Sequence, residues 1–186
     1  MAATTNPTRV PLLERDQVTP EVATVYDALL KTRGVVPNMF KALAHTPALA
    51  LATAGYLKAL LGDGALAGSY KELIATRLSV LLGSEYAIKA HALSARQKGA
   101  SDARIAAARG DYENGPFTAA EILGFRAAER LHRSPAEITD EFFATLRQHF
   151  SDPQIVELLA AAAAFELFPR FVDALRIPVT PAPPGV

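Results

Sequence analysis

The 186-residue chain contains no cysteine. This absence excludes disulfide bonds, thiolate metal sites and cysteine nucleophiles. Net charge is also absent, because 19 Lys and Arg residues balance 19 Asp and Glu residues. The balance gives no electrostatic reason to expect nucleic acid or an anionic membrane as a partner. It also removes the repulsion between copies of the chain, so that self-association is permitted.

Long apolar runs are missing as well. The most apolar stretch, residues 158–165, is far shorter than the ~20 residues that a helix needs to cross a bilayer. Residues 1–9 contain no apolar segment of the signal-peptide type. We therefore expect no membrane partner and a cytoplasmic location. The sequence also lacks a glycine-rich phosphate loop and any pattern of metal ligands, so that neither a cofactor nor a metal is predicted.

What the sequence does contain is a series of helix start and stop signals. Thr19-Pro20 and Thr46-Pro47 each place a capping hydroxyl before a proline at the first helical position. Thr118 and Glu121 have the spacing of a capping box. No segment shows sustained alternation of apolar and polar residues, which would indicate a strand. The sequence therefore predicts an all-α fold of neighbouring antiparallel helices joined by short loops.

The same signals predict one helical domain with an extension at each end. Residues 1–16 contain two prolines and little periodicity, so we expect an extended arm. Residues 17–176 are expected to form the helical domain, with a short link at 35–40. Pro169 is expected to kink or interrupt the last helix. Residues 177–186 contain four prolines and are expected to form an extended tail.

One internal segment has the pattern of a known family. Residues 72–105 read ELIATRLSVLLGSEYAIKAHALSARQKGASDARI. This segment resembles the core motif of the AhpD-like/carboxymuconolactone decarboxylase family, in which a glutamate opens a helix and a break precedes Cys-x-x-Cys and a histidine. Glu72 matches the glutamate, Gly83 matches the break and His91 matches the histidine.

The two cysteines of that motif are replaced here by Ser84 and Ala87. A serine hydroxyl is not oxidised as a thiolate is, and alanine has no side-chain chemistry, so that peroxidase activity by disulfide cycling is not expected. The decarboxylase branch of the family also lacks the cysteine pair, and the resemblance therefore implies that branch. A different interpretation is that both residues replace the cysteines of a redox-active parent.

The resemblance extends beyond the core motif. Residues 37–47 resemble the family's N-terminal lead-in, and residues 171–178 resemble its C-terminal close. The family implies an AhpD-like bundle of about seven to nine helices. It also implies a small-molecule substrate and a homo-oligomer, a trimer or a hexamer, with the site near a subunit boundary.

The residues of the motif suggest acid/base chemistry. If the helices on either side of the glycine break are antiparallel, Glu72 can reach a helical face that contains Ser84 and His91. This set suits proton transfer next to a carbonyl, or decarboxylation of a small organic acid or lactone. We predict His91 as the general acid/base, Glu72 as its partner or the base itself, and Ser84 as an orienting hydrogen-bond donor. Tyr86 and Arg77 are the predicted substrate-binding residues.

Each candidate also has a structural interpretation. Ser84 is a good N-cap, and Glu72 has the spacing of a capping box with Ser69. His91 fits a hydrogen-bonded histidine of the core. Arg77 fits a partner in a structural ion pair, and Tyr86 fits a position in the core or at an interface. The alternative function is accordingly non-catalytic: an inactive relative of the AhpD-like peroxidases, or an oligomeric binding protein.

Overall fold

The structure is a computed structural model that describes residues 7–183 of the chain. Over this range it contains nine α-helices and no β-strand, which confirms the prediction of an all-α fold. The ends of the predicted arm and tail, residues 1–6 and 184–186, lie outside the described residues. The helices are α1 (Pro20–Arg33), α2 (Asn38–Leu43), α3 (Pro47–Leu61), α4 (Gly68–Leu81), α5 (Glu85–Gln97), α6 (Asp102–Arg109), α7 (Ala119–Arg133), α8 (Asp140–His149) and α9 (Asp152–Ala174).

Several helix boundaries follow directly from the capping residues. The Thr118 hydroxyl accepts a hydrogen bond from the Glu121 amide at 3.2 Å, and the Glu121 carboxylate accepts one from the Thr118 amide at 3.0 Å. Ser84 is the N-cap of α5, where its hydroxyl accepts from the Ala87 amide. Gly34 ends α1 in the left-handed conformation, with φ of 73°, which glycine adopts without steric cost. Local hydrogen bonding therefore determines these boundaries.

The segment 35–40 differs from the prediction of a link. Helix α2 already begins at Asn38, with Pro37 at its N-cap. A proline keeps the residue before it out of the helical conformation. The proline itself has no N–H group that needs a partner, and its fixed φ suits the start of a helix. The proline therefore marks the beginning of a helix rather than the middle of a link.

Pro169 lies inside α9, which continues without interruption to Ala174. Proline removes one hydrogen bond from the helix. The helix persists because apolar residues on both sides of the proline, Phe165 and Val172, remain buried in the core. Among the described residues, no helix, α9 included, has the length and hydrophobicity that crossing a membrane requires.

Helix α4 is the centre of the fold. It packs against α5, α6, α7 and α9, and Leu73, Ile74, Ala75 and Leu78 are fully buried along it. A helix that is covered on all sides has no face left for solvated side chains. Any ionisable residue in the middle of α4 must therefore find its partners inside the protein.

A second apolar cluster joins α1, α2 and the C-terminal segment to α5 and α9. Residues 177–183, after a turn that follows α9, form no helix or strand, and the Thr180 hydroxyl accepts a hydrogen bond from the Asn38 backbone amide at 2.9 Å. The Asn38 side chain donates to the Pro178 carbonyl at 3.1 Å. This C-terminal segment is thus held against the start of α2.

Two glycines in helices are expected to respond to alanine in opposite directions. A Cβ on Gly124 in α7 would collide with the Tyr70 hydroxyl, which donates to the Glu121 carbonyl at 2.6 Å. Gly124→Ala should therefore lower the free energy of unfolding by about 1–3 kcal/mol. A Cβ on Gly55 in α3 meets nothing within 4 Å, so that Gly55→Ala should raise it by about 0.5–1 kcal/mol. Urea unfolding of both variants beside the parent tests the pair, and a change of the same sign in both would contradict this packing.

Candidate active site

The site is built around the carboxylate of Glu72, in the middle of α4, which has no solvent-exposed surface. One oxygen, Oε2, lies 2.7 Å from Nδ1 of His91 on α5. The other, Oε1, accepts hydrogen bonds of 2.6 Å from the Ser94 hydroxyl and 2.6 Å from the Lys98 ammonium group. Arg33 of α1 approaches the same oxygen at 3.7 Å. Both carboxylate oxygens are therefore satisfied without water.

These partners determine the charge of Glu72. Burial by itself raises the pKa of a carboxyl group because it removes the solvation of the anion. The hydrogen bond and charge of His91, with the charges of Lys98 and Arg33, outweigh burial and lower the pKa of Glu72 to about 2. Glu72 is therefore ionised throughout the neutral pH range.

The ionised carboxylate in turn fixes the tautomer of His91. A carboxylate accepts hydrogen bonds and donates none, so the proton must lie on Nδ1 of the ring. In the neutral ring, Nε2 then carries the lone pair. Nε2 of His91 has no hydrogen-bond partner in residues 7–183. It is not fully buried either, because Arg104 Nε is the only polar side-chain atom in that range that is both fully buried and unpaired. Nε2 is therefore accessible, and the space that it meets is a cavity.

The cavity has a volume of about 620 Å³ and lies between α1, α2, α3, α5 and α9. Its wall is largely apolar, and the His91 ring packs edge-on against Phe165 with ring centroids 4.3 Å apart. The charged groups of the wall are cations, namely Arg33, Lys58 and Lys98. Over residues 7–183, no three histidine or carboxylate side chains come close enough together to hold a metal.

The structure brings two of the five predicted site residues into contact, Glu72 and His91, and His91 lines the cavity. Ser84 lies elsewhere: its hydroxyl caps α5 and donates to Asp173 Oδ1 at 3.0 Å, and it is not part of the cavity wall. The capping-box alternative for Glu72 is wrong. Helix α4 begins at Gly68, before Ser69, so the Glu72 carboxylate lies beyond the first turn and faces α5.

The predicted substrate-binding residues have separate positions. Tyr86 borders the cavity, but its hydroxyl accepts a hydrogen bond from the Met39 amide at 3.0 Å and lies 3.2 Å from Thr180 Oγ1. Arg77 lies outside the cavity wall, where its guanidinium donates to Glu129 Oε1 at 2.7 Å. Tyr86 thus holds α2 and the C-terminal segment in place. Arg77 forms a structural ion pair, which is the alternative to substrate binding that the sequence analysis gave for it.

Three residues of the site were not predicted from the sequence. Ser94 and Lys98 follow His91 at positions i+3 and i+7, which lie on the same face of a helix. Extending the stripe that begins at His91 would have identified them. Arg33 gives no such signal, because α1 is distant in sequence and only the folded chain brings its last turn to Glu72.

The low pKa of Glu72 predicts a specific loss of stability in acid. Its pKa is about 2 in the folded protein against an ordinary value of 4.5, so its pairing stabilises the fold fully above pH 4.5 and is lost as the pH falls towards 2. This contribution is on the order of 3 kcal/mol. Glu72→Gln should unfold more easily at neutral pH and lose less stability between pH 4.5 and 2. Urea unfolding at several pH values tests this, and parallel curves for the parent and Glu72→Gln would contradict it.

The sequence matches the model of the carboxymuconolactone decarboxylase family over residues 47–130. This range extends from α3 into α7 and contains both Glu72 and His91. A comparison with proteins of curated function found no match.

Solved structures show the same fold over almost the whole chain. An uncharacterised peroxidase-related protein from Silicibacter sp. TM1040 superposes with a TM-score of 0.87 at 25% identity, over 100% of this chain and 98% of that one. A peroxidase-related protein with an alkylhydroperoxidase AhpD core, from Ralstonia eutropha JMP134, gives 0.86 at 24% identity, over 94% of both chains. The debrominase Bmp8, solved in complex with 2,3,4-tribromopyrrole, gives 0.82 at 23% identity, over 96% of this chain and 94% of that one.

The family match, the fold and the position of Glu72 beside His91 agree with the resemblance seen in the sequence. Residues 47–130 therefore match the carboxymuconolactone decarboxylase family, the whole chain has the fold of an AhpD-related structure, and the sequence contains no Cys-x-x-Cys redox pair.

Proposed function

We propose that the protein is a cofactor-independent acid/base enzyme, a lyase or isomerase that acts on a small organic acid or lactone. The observation that carries this proposal is the pairing of buried, ionised Glu72 with Nδ1 of His91, which leaves Nε2 open to the cavity. A histidine in this arrangement is held in one orientation and one tautomer by its carboxylate partner. His91 is the proposed catalytic acid/base, and Glu72 is its positioning residue.

Two reactions fit this arrangement. In an isomerisation, Nε2 of His91 takes a proton from the carbon next to a carbonyl, the C–H electron pair forms an enolate, and the proton returns to a different carbon. In a decarboxylation, the C–C bond to the carboxylate breaks, carbon dioxide leaves, and protonated His91 delivers its proton to the enolate carbon. Water then restores the proton on His91. Neither reaction needs an oxidant or a reductant, and Glu72 stabilises the imidazolium in both.

The cavity wall supports an anionic substrate with an apolar body. Arg33, Lys58 and Lys98 border the cavity, whereas no Asp or Glu belongs to the wall. Arg33 donates to the Ser94 hydroxyl at 2.9 Å, and a guanidinium with five N–H groups keeps donors for a carboxylate. We therefore propose that Arg33, rather than Arg77, anchors the substrate carboxylate. Lys98, rather than Ser84, is the proposed orienting hydrogen-bond donor.

The structural neighbours support the size of the proposed substrate. Bmp8 was solved with 2,3,4-tribromopyrrole, a small ring compound, and a cavity of about 620 Å³ is large enough for a molecule of that size. Two other neighbours are peroxidase-related proteins. We do not propose a thiol-based peroxidase reaction for this protein, because the chain contains no cysteine.

Replacement of His91 tests the proposed reaction. A panel of small lactones and carboxylic acids is assayed for release of carbon dioxide and for uptake of deuterium from heavy water. His91→Gln should lower kcat on the order of 10²–10⁴-fold, because the ring that transfers the proton is lost. His132→Gln is the matched control: His132 also pairs with a carboxylate, 2.6 Å from Glu166 Oε1, but lies outside the cavity wall. Turnover by His91→Gln equal to that of the control would refute the role of His91, and binding without any turnover would favour the non-catalytic alternative.

Replacement of Arg33 tests the proposed anchor. Arg33→Met should raise KM for an acid by about tenfold to a hundredfold, because a charged hydrogen bond to the substrate is lost. The KM for the methyl ester of the same acid should change much less. Arg170→Met is the control, since Arg170 is exposed and pairs with Glu166 away from the cavity. An equal effect on acid and ester would argue against carboxylate recognition by Arg33.

A further inference from the structure

Ser94 lies between two oppositely charged groups of the candidate active site. Its hydroxyl donates to Glu72 Oε1 at 2.6 Å and accepts a hydrogen bond from the Arg33 guanidinium at 2.9 Å. An ionised carboxylate has no proton to donate and a guanidinium has no acceptor, so the direction of both hydrogen bonds is fixed. Only 3% of Ser94 is exposed. A buried hydroxyl therefore separates the Glu72 carboxylate from the positive charge of Arg33.

The hydroxyl keeps Arg33 from binding Glu72 directly. The Nη2 nitrogen of Arg33 lies 3.7 Å from Glu72 Oε1, which is too long for a hydrogen bond. Oε1 already accepts from the Ser94 hydroxyl and from the Lys98 ammonium group, and a carboxylate oxygen has two lone pairs. With Ser94 in place, Oε1 therefore has no lone pair left for a third donor.

Direct pairing would change what Arg33 can do. A guanidinium and a carboxylate bind each other through charge-assisted hydrogen bonds, which are stronger than bonds to a neutral hydroxyl and are often bidentate. Arg33 paired in this way would keep fewer N–H groups for a substrate, and its charge would be neutralised by Glu72. In residues 7–183 the guanidinium instead makes one hydrogen bond, to Ser94. Most of its five N–H groups are therefore left for another acceptor.

Open volume borders both Arg33 and Ser94. The two residues line the cavity of about 620 Å³, and they also line a second cavity of about 40 Å³ next to residues 179–181 of the C-terminal segment. The side chain of Arg33 is 28% exposed. A ligand in the larger cavity can therefore reach Arg33 without displacing a helix.

We propose that Ser94 is a positioning residue, whose hydroxyl holds Arg33 away from Glu72 and so keeps the guanidinium available to the carboxylate of a substrate. The proposal rests on the anionic substrate proposed above and adds the residue that allows Arg33 to bind it. Ser94 acts through its two partners and needs no contact with the reacting atoms. By the same spacing, the Glu72 carboxylate stays paired with Nδ1 of His91.

The proposal predicts a selective loss of anion binding when the hydroxyl is removed. Benzoate and methyl benzoate are unreactive probes that share one apolar ring, but only benzoate carries a carboxylate. Calorimetric titration of the parent should show tighter binding of benzoate than of its methyl ester. In Ser94→Ala, Oε1 gains a free lone pair and Arg33 moves onto it. The affinity for benzoate should then fall by about tenfold or more, whereas the affinity for methyl benzoate should change little.

A double-mutant cycle separates this role from a merely structural one. In the Arg33→Met background there is no guanidinium to position, so Ser94→Ala should cause no further loss of benzoate affinity. Ser94→Thr keeps the hydroxyl, and the two cavities beside Ser94 leave space for the added methyl group. This variant should bind benzoate as the parent does.

Ser79→Ala is the matched control. Ser79 is also a buried serine within a helix, and its hydroxyl donates to the Ala75 carbonyl at 2.6 Å, but it lies outside both cavity walls. The proposal is overturned if Ser94→Ala weakens benzoate and methyl benzoate equally, or weakens benzoate no more than Ser79→Ala does. It is also overturned if the loss persists in the Arg33→Met background, or if Ser94→Thr binds benzoate as weakly as Ser94→Ala.

These outcomes are distinguishable from a failure of the proposed function. The titrations measure binding alone, so a negative result for Ser94 leaves the proton transfer proposed for His91 as it stands. A parent chain that binds benzoate no more tightly than methyl benzoate would overturn the anionic substrate, and the role of Ser94 with it.

Discussion

An ionised carboxylate in the centre of a helical bundle is the constraint on which the site depends. An isolated charge in such a place is very unfavourable, and Glu72 is tolerated only because His91, Ser94 and Lys98 hydrogen-bond to it and Arg33 adds a second positive charge. These partners come from α1, α5 and the residue that caps the end of α5, so the same network that satisfies the charge also fixes α5 against α4. It leaves one ring nitrogen of His91 facing an open cavity. Stability and the proposed chemistry therefore depend on the same atoms.

The network also explains how the site can lack a thiol and still be arranged for chemistry. By the resemblance of the motif, Ser84 and Ala87 stand where the family has its redox cysteines. In this structure the Ser84 hydroxyl caps α5 and donates a hydrogen bond to Asp173. Glu72 and His91 pair with each other without involving either of these positions. What the geometry supports is proton transfer by a histidine whose tautomer is fixed by a buried acid. The cations of the cavity wall add a reason to expect an anionic substrate.

Much of this arrangement was predictable from the sequence, and the reasons for the failures are specific. Capping residues fixed the starts of α5 and α7, and helical spacing indicated that Glu72 and His91 meet. Ser94 and Lys98 lay on the same stripe and needed only its extension. Arg33 was not predictable, because its approach to Glu72 depends on the packing of α1. The position of Arg77 away from the cavity was not predictable, because periodicity shows which face a residue occupies but not what that face packs against, which here is Glu129.

The proposed chemistry requires that Glu72 holds the proton on Nδ1 of His91 and leaves Nε2 free. Nitrogen-15 NMR of the histidine rings measures this directly at a pH where the ring of His91 is neutral. We expect a protonated Nδ1 and an unprotonated Nε2 for His91, and a loss of this preference in Glu72→Gln. A neutral His91 ring with its proton on Nε2 would rule out the proposed role of His91, because the nitrogen that faces the cavity could then not act as a base.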